Sequence, residues 1–175
     1  MTPEGLSIVS ALDFRMAMLL RNVEPLSEGQ MDWVPGEGRN SIRWQLWHIC
    51  EVEENWVGQC LLDLPARFPL GVSLGESYGV PGSADRPDKD RLLEYLREVR
   101  ALSRQRLEGM DGGDFERVVH DPDFGRMSAR ELWAGVVTSF AWHAGQIALT
   151  AKLLPGSPIE VWTFTPWDDP GRRRA

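Results

Sequence analysis

Apolar residues recur at spacings of three and four along four long stretches of the chain, a periodicity that predicts helices with one buried face. The stretches run from about Pro3 to Val23, from Ser41 to Leu62, from Asp88 to Leu107 and from Ser128 to Leu154. Segments rich in proline, glycine and polar residues separate them, and none shows a credible sheet pattern. The sequence therefore predicts an all-α protein, a four-helix bundle.

The longest break covers residues 63–87, where four prolines and four glycines predict that no regular element forms. A helix of 20 residues is about 30 Å long, and a loop of this length can retrace it. Helices two and three are therefore predicted to be parallel, in the order up-down-down-up with a long crossover loop between them. Helix is not expected in the linker 27–40, and the segment 111–127 is predicted to be loop or short extended chain.

The sequence predicts one folded unit followed by a tail. Residues 1–157 would form the bundle, because the fourth helix stops at Pro155-Gly156. Residues 158–175 form a tail that contains Trp162, Phe164 and Trp167. These aromatic side chains are expected to fold back onto the bundle or to contact a partner chain.

Charge and cysteine content exclude several classes of partner. The net charge is −7, which argues against nucleic acid, and no apolar run is long enough to predict a membrane span. No basic region precedes an apolar run at the N-terminus, so a signal peptide is not expected. Cys50 and Cys60 lie roughly 15 Å apart along one predicted helix, too far for a disulfide. Free thiols suit a reducing compartment, and the protein is expected to be cytoplasmic.

Two of the three histidines lie inside the most apolar helices, each directly after a tryptophan. His48 follows Trp47 near the start of helix two, and His143 follows Trp142 in the middle of helix four. The predicted inner stripe of helix two lies beside His48 and consists of Ile42, Gln45, Ile49, Val52, Trp56 and Cys60. Because helices two and four are predicted to be antiparallel, the two histidines can reach the same level. His120 falls at the other end of helix four and is interpreted as a loop residue.

A pair of inward histidines has two interpretations that the residues leave open. Each imidazole could be satisfied by a glutamate, a serine or a carbonyl, as buried histidines are. Alternatively, the pair could bind zinc, nickel or iron, since bundle cores often carry such sites. A catalytic zinc usually has three protein ligands, and the neighbours one turn away are Ser139, Gln146 and Glu51. Glu51 is the best oxygen donor of the three, and Gln146 could orient an imidazole.

Three segments of the chain resemble the DinB-like (YfiT-like) superfamily of bacterial four-helix proteins, often called metal-dependent hydrolases. LSEGQMDWVPGEGRNSIRWQLWHICEVEENWV is similar to the start of the family's second helix, which carries a ligand histidine. PDFGRMSARELW is similar to the start of its fourth helix, and SFAWHAGQI to its H-x-x-x-H-x-G-Q block. With the helix spacing, the resemblance covers roughly residues 5–155.

The resemblance implies a divalent-metal site, often zinc or nickel, held by three histidines. His48 and His143 match two of those positions, and the third falls on Ser139, where this sequence departs from the pattern. Some relatives, including mycothiol-dependent maleylpyruvate isomerase, carry a glutamate there. Family members of known activity include transferases and isomerases that use a low-molecular-weight thiol, whose thiolate the metal would hold in its nucleophilic form.

Two functions follow from these observations. The first is a metal-dependent thiol S-transferase or hydrolase with an incomplete histidine triad, in which Glu51 or water completes the ligands of His48 and His143. Trp47, Trp142 and the loop 63–87 would form the pocket wall, with Ser139 and Gln146 beside the bound cofactor. The alternative is a non-catalytic, metal-free bundle that binds a small ligand or acts as a stress-related dimer. Either protein would take a small molecule and form a homodimer.

Overall fold

The computed structural model describes residues 1–65, 67–79 and 86–159, and the predicted all-α four-helix bundle is confirmed. The helices are α1 (Pro3–Val23), α2 (Glu28–Met31), α3 (Ile42–Glu54), α4 (Leu74–Gly79), α5 (Lys89–Gly109), α6 (Gly112–Glu116) and α7 (Ala129–Leu153). The strands are β1 (Val118–Asp121) and β2 (Gly125–Ser128). The aromatic residues predicted to act in the tail, Trp162, Phe164 and Trp167, lie outside the described residues.

Contacts at the helix ends fix the directions of the four long helices. The start of α5 lies at the end of α1, since Lys89 Nζ donates to the carbonyl of Glu24 at 2.9 Å. The starts of α1 and α7 lie together, because Arg130 pairs with Glu4. Arg43 near the start of α3 donates to the Pro87 carbonyl, just before α5. Helices α3 and α5 are therefore parallel to each other and antiparallel to α1 and α7, which is the predicted up-down-down-up order.

Local capping explains why the long helices start where they do. Ser128 and Glu131 form a capping box at the start of α7, as the S-x-x-E sequence predicts. Ser41 accepts a hydrogen bond from the Trp44 amide and starts α3. A capping box also starts a helix in a segment where no helix was predicted. In the linker 27–40, Ser27 and Gln30 form a capping box that stabilises the short helix α2 despite the following proline and glycines.

Two other predictions of irregular chain were wrong in detail. The break 63–87 contains α4, which starts where the Leu74 amide donates to the Glu51 carboxylate at 2.8 Å. In the segment 111–127, predicted to be loop or short extended chain, the helix α6 forms, and strands β1 and β2 pair as an antiparallel hairpin. His120 accordingly lies in β1, paired with Arg126, and not in a loop. Strands this short depend on pairing across the turn, so the sequence gives them almost no periodic signal.

The second predicted helix has a wider buried face than its predicted stripe. Ile42, Gln45 and Ile49 are buried as predicted, but so are Leu46, Trp47, Cys50, Val57 and Leu61. After Glu54 the helix widens into a π-helical segment, Asn55–Leu61, which carries Trp56 and Cys60. Helix α3 is buried on more than one side because it packs against both α5 and α7. Both cysteines are free thiols, as predicted.

Candidate functional site

The side chains of His48 and His143 meet between α3 and α7. Their ring centres are 4.7 Å apart and the ring planes are inclined at 76°. The prediction that these two histidines reach the same level of the bundle is confirmed. Both rings are half-buried, so the pair lies at the surface of the groove between the two helices and remains open to a ligand.

Neighbouring side chains set the orientation of each imidazole. Trp44, one turn before His48 on α3, stacks on its ring with centres 4.8 Å apart and planes inclined by 18°. His143 Nδ1 lies 3.1 Å from Gln146 Oε1. Because an amide oxygen can only accept, Nδ1 carries the proton and Nε2 keeps its lone pair. Gln146 therefore fixes the tautomer in which Nε2 of His143 can bind a metal or accept a hydrogen bond.

Both imidazoles are held in the neutral form. Burial, together with the smaller effect of the neighbouring His143, lowers the pKa of His48 to about 4. Burial also lowers the pKa of His143, although the bond to Gln146 opposes this shift. Neutral imidazole is the form that binds metal ions, so the environment favours ligation at neutral pH.

The depressed pKa of His48 predicts a loss of stability in mild acid. Above pH 6.5 the ring is neutral in both the folded and the unfolded chain, so the residue adds no pH dependence. As the pH falls from 6.5 to about 4, the unfolded chain gains a proton that the folded chain does not. We expect this residue to reduce the free energy of unfolding by about 1–2 kcal/mol, a value discounted for partial exposure.

Thermal unfolding of the native protein and His48→Gln between neutral and mildly acidic pH measures this contribution. Half-buried carboxyls such as Glu51, whose pKa is raised by burial, are the same in both proteins. The difference between the two curves therefore isolates the histidine. Parallel curves for the two proteins would contradict the expectation.

Ser139, one turn before His143, lies at the edge of a shallow depression directly below the histidine pair. The lining residues are Ile49, Val52, Glu53, Val136, Ser139 and Phe140. Apart from Ser139 and the Glu53 carboxylate, this surface is apolar. The position where the resemblance implies a third histidine thus carries a small side chain, next to a mostly apolar surface.

The Glu51 carboxylate binds α4. Its Oε1 accepts the Leu74 amide at 2.8 Å, and a hydrogen bond with the Trp47 side chain lowers the pKa that burial raises. Among the described residues, no group of three histidine, cysteine, aspartate or glutamate side chains could hold a metal ion. The structure therefore brings His48 and His143 together but does not bring Glu51 to them.

The two tryptophans that precede the histidines have opposite environments. Trp47 has no exposed surface, which places it in the core and not in the wall of the site as predicted. It is turned about 100° around α3 from His48. Trp142 is 67% exposed and remains a candidate for contact with a ligand. Gln146 is also exposed, beside His143.

The sequence analysis missed Trp44 as a site residue. It lies four residues before His48, the spacing that places two side chains on one face of a helix. The same rule that singled out Ser139 would have found it. It also missed the buried ion pair between Glu53 and Arg100, whose members lie far apart in the sequence.

The donor set fits a divalent metal bound by two histidines. Two imidazoles that share a zinc at about 2.0–2.1 Å have ring centres on the order of 5 Å apart, close to the separation of His48 and His143. Both rings are neutral, and Gln146 leaves Nε2 of His143 free. Because Ser139 takes the third position, the remaining donors would come from water or from a ligand.

Comparisons with solved structures show the same fold at low sequence identity. A conserved protein from Enterococcus faecalis is 17% identical to this chain and has a TM-score of 0.71. The match covers 99% of that protein and 89% of this chain. YfiT from Bacillus subtilis, described as a probable metal-dependent hydrolase with an unusual four-helix bundle topology, is also 17% identical. Its TM-score is 0.64, with 87% of this chain and 89% of YfiT covered.

The colibactin self-resistance protein ClbS, solved in complex with double-stranded DNA, has a TM-score of 0.59 and 13% identity. The match covers 89% of this chain and all of ClbS (100%). Such low identities show a shared fold alone. None of the curated proteins matches the chain in sequence.

A match to a family model identifies the chain more directly than these structures do. The model of the DinB superfamily matches residues 11–147, a range that includes α3, most of α7 and both histidines of the pair. The resemblance stated from the sequence motifs is thereby confirmed. This chain belongs to the DinB superfamily.

Proposed function

We propose that this protein is a divalent-metal-dependent enzyme, a hydrolase or thiol S-transferase, whose metal is bound by His48 and His143. The observation that carries the proposal is the pair of neutral imidazoles with ring centres 4.7 Å apart in an open groove. Membership of the DinB superfamily supports it, as does the fold shared with YfiT. Imidazole nitrogens suit zinc and nickel, the two metals that the family resemblance implies.

The residues of the chain would hold and orient the metal, and an incoming ligand would complete its coordination. Trp44 holds the His48 ring in place by stacking on it. Gln146 bonds to Nδ1 of His143, so the Nε2 lone pair of His143 stays available to a metal. A divalent metal supplies a Lewis acid that polarises a substrate oxygen or keeps a thiol deprotonated. Glu51 is engaged with the Leu74 amide at the start of α4, so water or a cofactor thiolate is the better third donor.

Metal titration tests this proposal. We expect the protein to bind about one equivalent of zinc or nickel, and His48→Ala and His143→Ala each to abolish it, because one remaining imidazole is a weak site. His120→Ala is the matched control, since this exposed histidine lies in β1. Less than a tenth of an equivalent in the native protein, or equal binding in all four proteins, would contradict a metal site at this pair.

The second candidate function, a metal-free binding protein, is favoured by the bonds that Glu51 already makes. In that case the histidine pair would be stabilised by Trp44 and Gln146 alone, and zinc would not change the melting temperature. A low-molecular-weight thiol as cofactor belongs to the first proposal only. The homodimer and the cytoplasmic location rest on the sequence and stay predictions. No helix among the described residues is long and apolar enough to cross a membrane.

A further inference from the structure

Helix α7 exposes a face that carries almost no charge. Residues 132–151 include no lysine, arginine, aspartate or glutamate, although one side of this helix is open to solvent. By contrast, the open side of α5 carries ion pairs such as that of Arg91 with Glu94. A helix that is apolar on its outer side as well as its inner side usually lies against a second surface.

The exposed residues of this helix follow one line along its axis. We define the α7 face by exposed residues that recur at spacings of three and four: Glu131, Ala134, Thr138, Trp142, Gly145, Leu149 and Lys152. Trp142 and Leu149 are each more than half exposed, and so is Leu153 beside them. Large apolar side chains at this spacing form the kind of seam that one helix presents to another.

Helix α1 extends the apolar surface on one side of the α7 face. The two helices run parallel and start together, where Arg130 pairs with Glu4. Met18 lies fourteen residues after Glu4 and about 40° around α1 from it, so it is exposed on the side of α1 next to α7. Helix rise places Met18 at about the height of Gly145. The apolar surface is therefore wider than α7 alone.

The charges at the two ends of the α7 face indicate which partner it fits. Glu131 lies eleven residues before Trp142, and Lys152 lies ten residues after it. If a second copy of the chain packs on this face with its own α7 antiparallel, Lys152 lies opposite the partner's Glu131 at both ends of the contact. A parallel arrangement would bring like charges together. The uncharged middle of the face contains nothing that repels its own copy.

We propose that the α7 face is the interface of a homodimer, in which the two α7 helices pack antiparallel about a two-fold axis near Trp142. The contact buries Trp142, Leu149 and Leu153 of each copy, with Met18 at its edge. Apolar burial stabilises this dimer, and the two pairs of Glu131 with Lys152 set its register. The dimer is independent of the proposed metal site, because His143 lies about 100° around α7 from Trp142.

Sedimentation equilibrium over a range of protein concentrations tests the proposal. We expect the native protein to have the mass of two chains. Leu149→Glu should weaken the dimer at least about 100-fold, because each copy would bury a carboxylate without a counter-charge. Leu6→Glu is the matched control: Leu6 is similarly exposed, but it lies about 160° around α1 from Glu4, on the side away from α7.

Gly145→Arg tests the same face without removing any contact within the folded chain. A Cβ at Gly145 would meet nothing within 4 Å outside the backbone of its own helix. Arginine also favours a helix more than glycine does, so the fold of the single chain should be unaffected. The long side chain would separate the two α7 helices, and we expect the dimer to dissociate as in Leu149→Glu. Circular dichroism should show unchanged helix content in both variants.

Two charge variants test the antiparallel register. Lys152→Glu would place a carboxylate opposite the partner's Glu131, and we expect the two repulsive pairs to weaken the dimer about tenfold. Adding Glu131→Gln should recover most of this loss, because it removes the repulsion. A glutamine at this position still completes the capping box with Ser128, so the start of α7 is preserved.

A native mass of one chain would overturn the proposal and leave the α7 face to another occupant, such as residues 160–175 or a different protein. A dimer that survives both Leu149→Glu and Gly145→Arg would also overturn it, since the copies would then meet on another surface. Equal weakening by Leu149→Glu and Leu6→Glu would have the same meaning. An unchanged dimer in Lys152→Glu would refute the antiparallel register.

Discussion

Ser139→His is expected to tighten zinc or nickel binding on the order of 100-fold. Changes to groups that only contact a metal ligand already alter affinity about 10–100-fold, and a new ligand acts more directly. Position 139 lies one turn before His143, so a histidine there would project from the same edge of α7 as the existing ligand. The substitution would supply the third nitrogen that the resemblance implies and that this chain lacks.

The partial exposure of Ser139 leaves a larger side chain a direction in which to extend. Ser139 is half-buried and lines a depression with Val52 and Val136. An imidazole would extend from the exposed side toward His48. A metal competition assay with a chromophoric chelator gives the affinity, and Ser139→Ala is the matched control, expected to leave it unchanged because the serine hydroxyl is a poor ligand.

The double variant Ser139→His, His143→Ala separates a restored triad from a new, unrelated site. If the histidine at 139 completes a site with the native pair, removing His143 should reverse the gain. Equal metal affinity in Ser139→His and in the native protein would show that the two native histidines do not face a shared metal position. That result would favour the metal-free binding function.

The long helices were predictable because each repeats its apolar residues over five or more turns. Val9, Leu12 and Leu19 recur at spacings of three and seven along α1, and all three are buried. The short elements were harder, since their stability comes from single contacts. The capping box of Ser27 and Gln30 is visible in the sequence and could have been found. The capping box of Ser73 and Glu76 at the start of α4 is another S-x-x-E sequence and could have been found too, whereas the bond from the Leu74 amide to Glu51, 23 residues away, could not.

The site shows the same difference between positions within regular helices, which were predictable, and single contacts between helices, which were not. Helix rise and helix direction were enough to predict that His48 and His143 meet, because both lie within regular helices. The bonds of their neighbours depend on how the helices are rotated against one another. Trp47 shows this, since its whole side chain lies in the core although it is next to His48 in the sequence. The ion pair of Glu53 also depends on how the helices are rotated, because its partner Arg100 lies on α5, after the long break in the sequence.

The ion pair of Glu53 and Arg100 is expected to dominate the stability of the bundle near the site. Both side chains are almost fully buried, at 3% and 8% exposed, and burial lowers the pKa of Arg100 to about 9. Ser103 donates to the Glu53 carboxylate, and the guanidinium lies 4.9 Å from the centre of the Phe140 ring. These contacts join α3, α5 and α7 one to two turns from the histidine pair.

Glu53→Leu or Arg100→Met alone should destabilise the protein by about 3–5 kcal/mol, because each leaves one uncompensated charge in the core. For a domain of this size the melting temperature would fall by about 6–20 °C. The combined variant should recover most of the loss, since replacing both partners by apolar residues is often neutral or stabilising. Arg104→Met is the matched control: its partner Asp13 is exposed, and we expect a change below about 1 kcal/mol.

Chemical denaturation of the four variants and the native protein gives the coupling between the two charges directly. Losses that simply add in the combined variant would mean that the pair contributes no mutual stabilisation, contrary to the expectation. Metal affinity in the combined variant adds a second readout. Phe140 lies next to Ser139 and three residues before His143 in sequence, so loss of the guanidinium beneath it removes a contact between α5 and the part of α7 that carries the site. If stability recovers while metal binding weakens, the buried pair is retained in this chain to hold the two histidines at their observed separation.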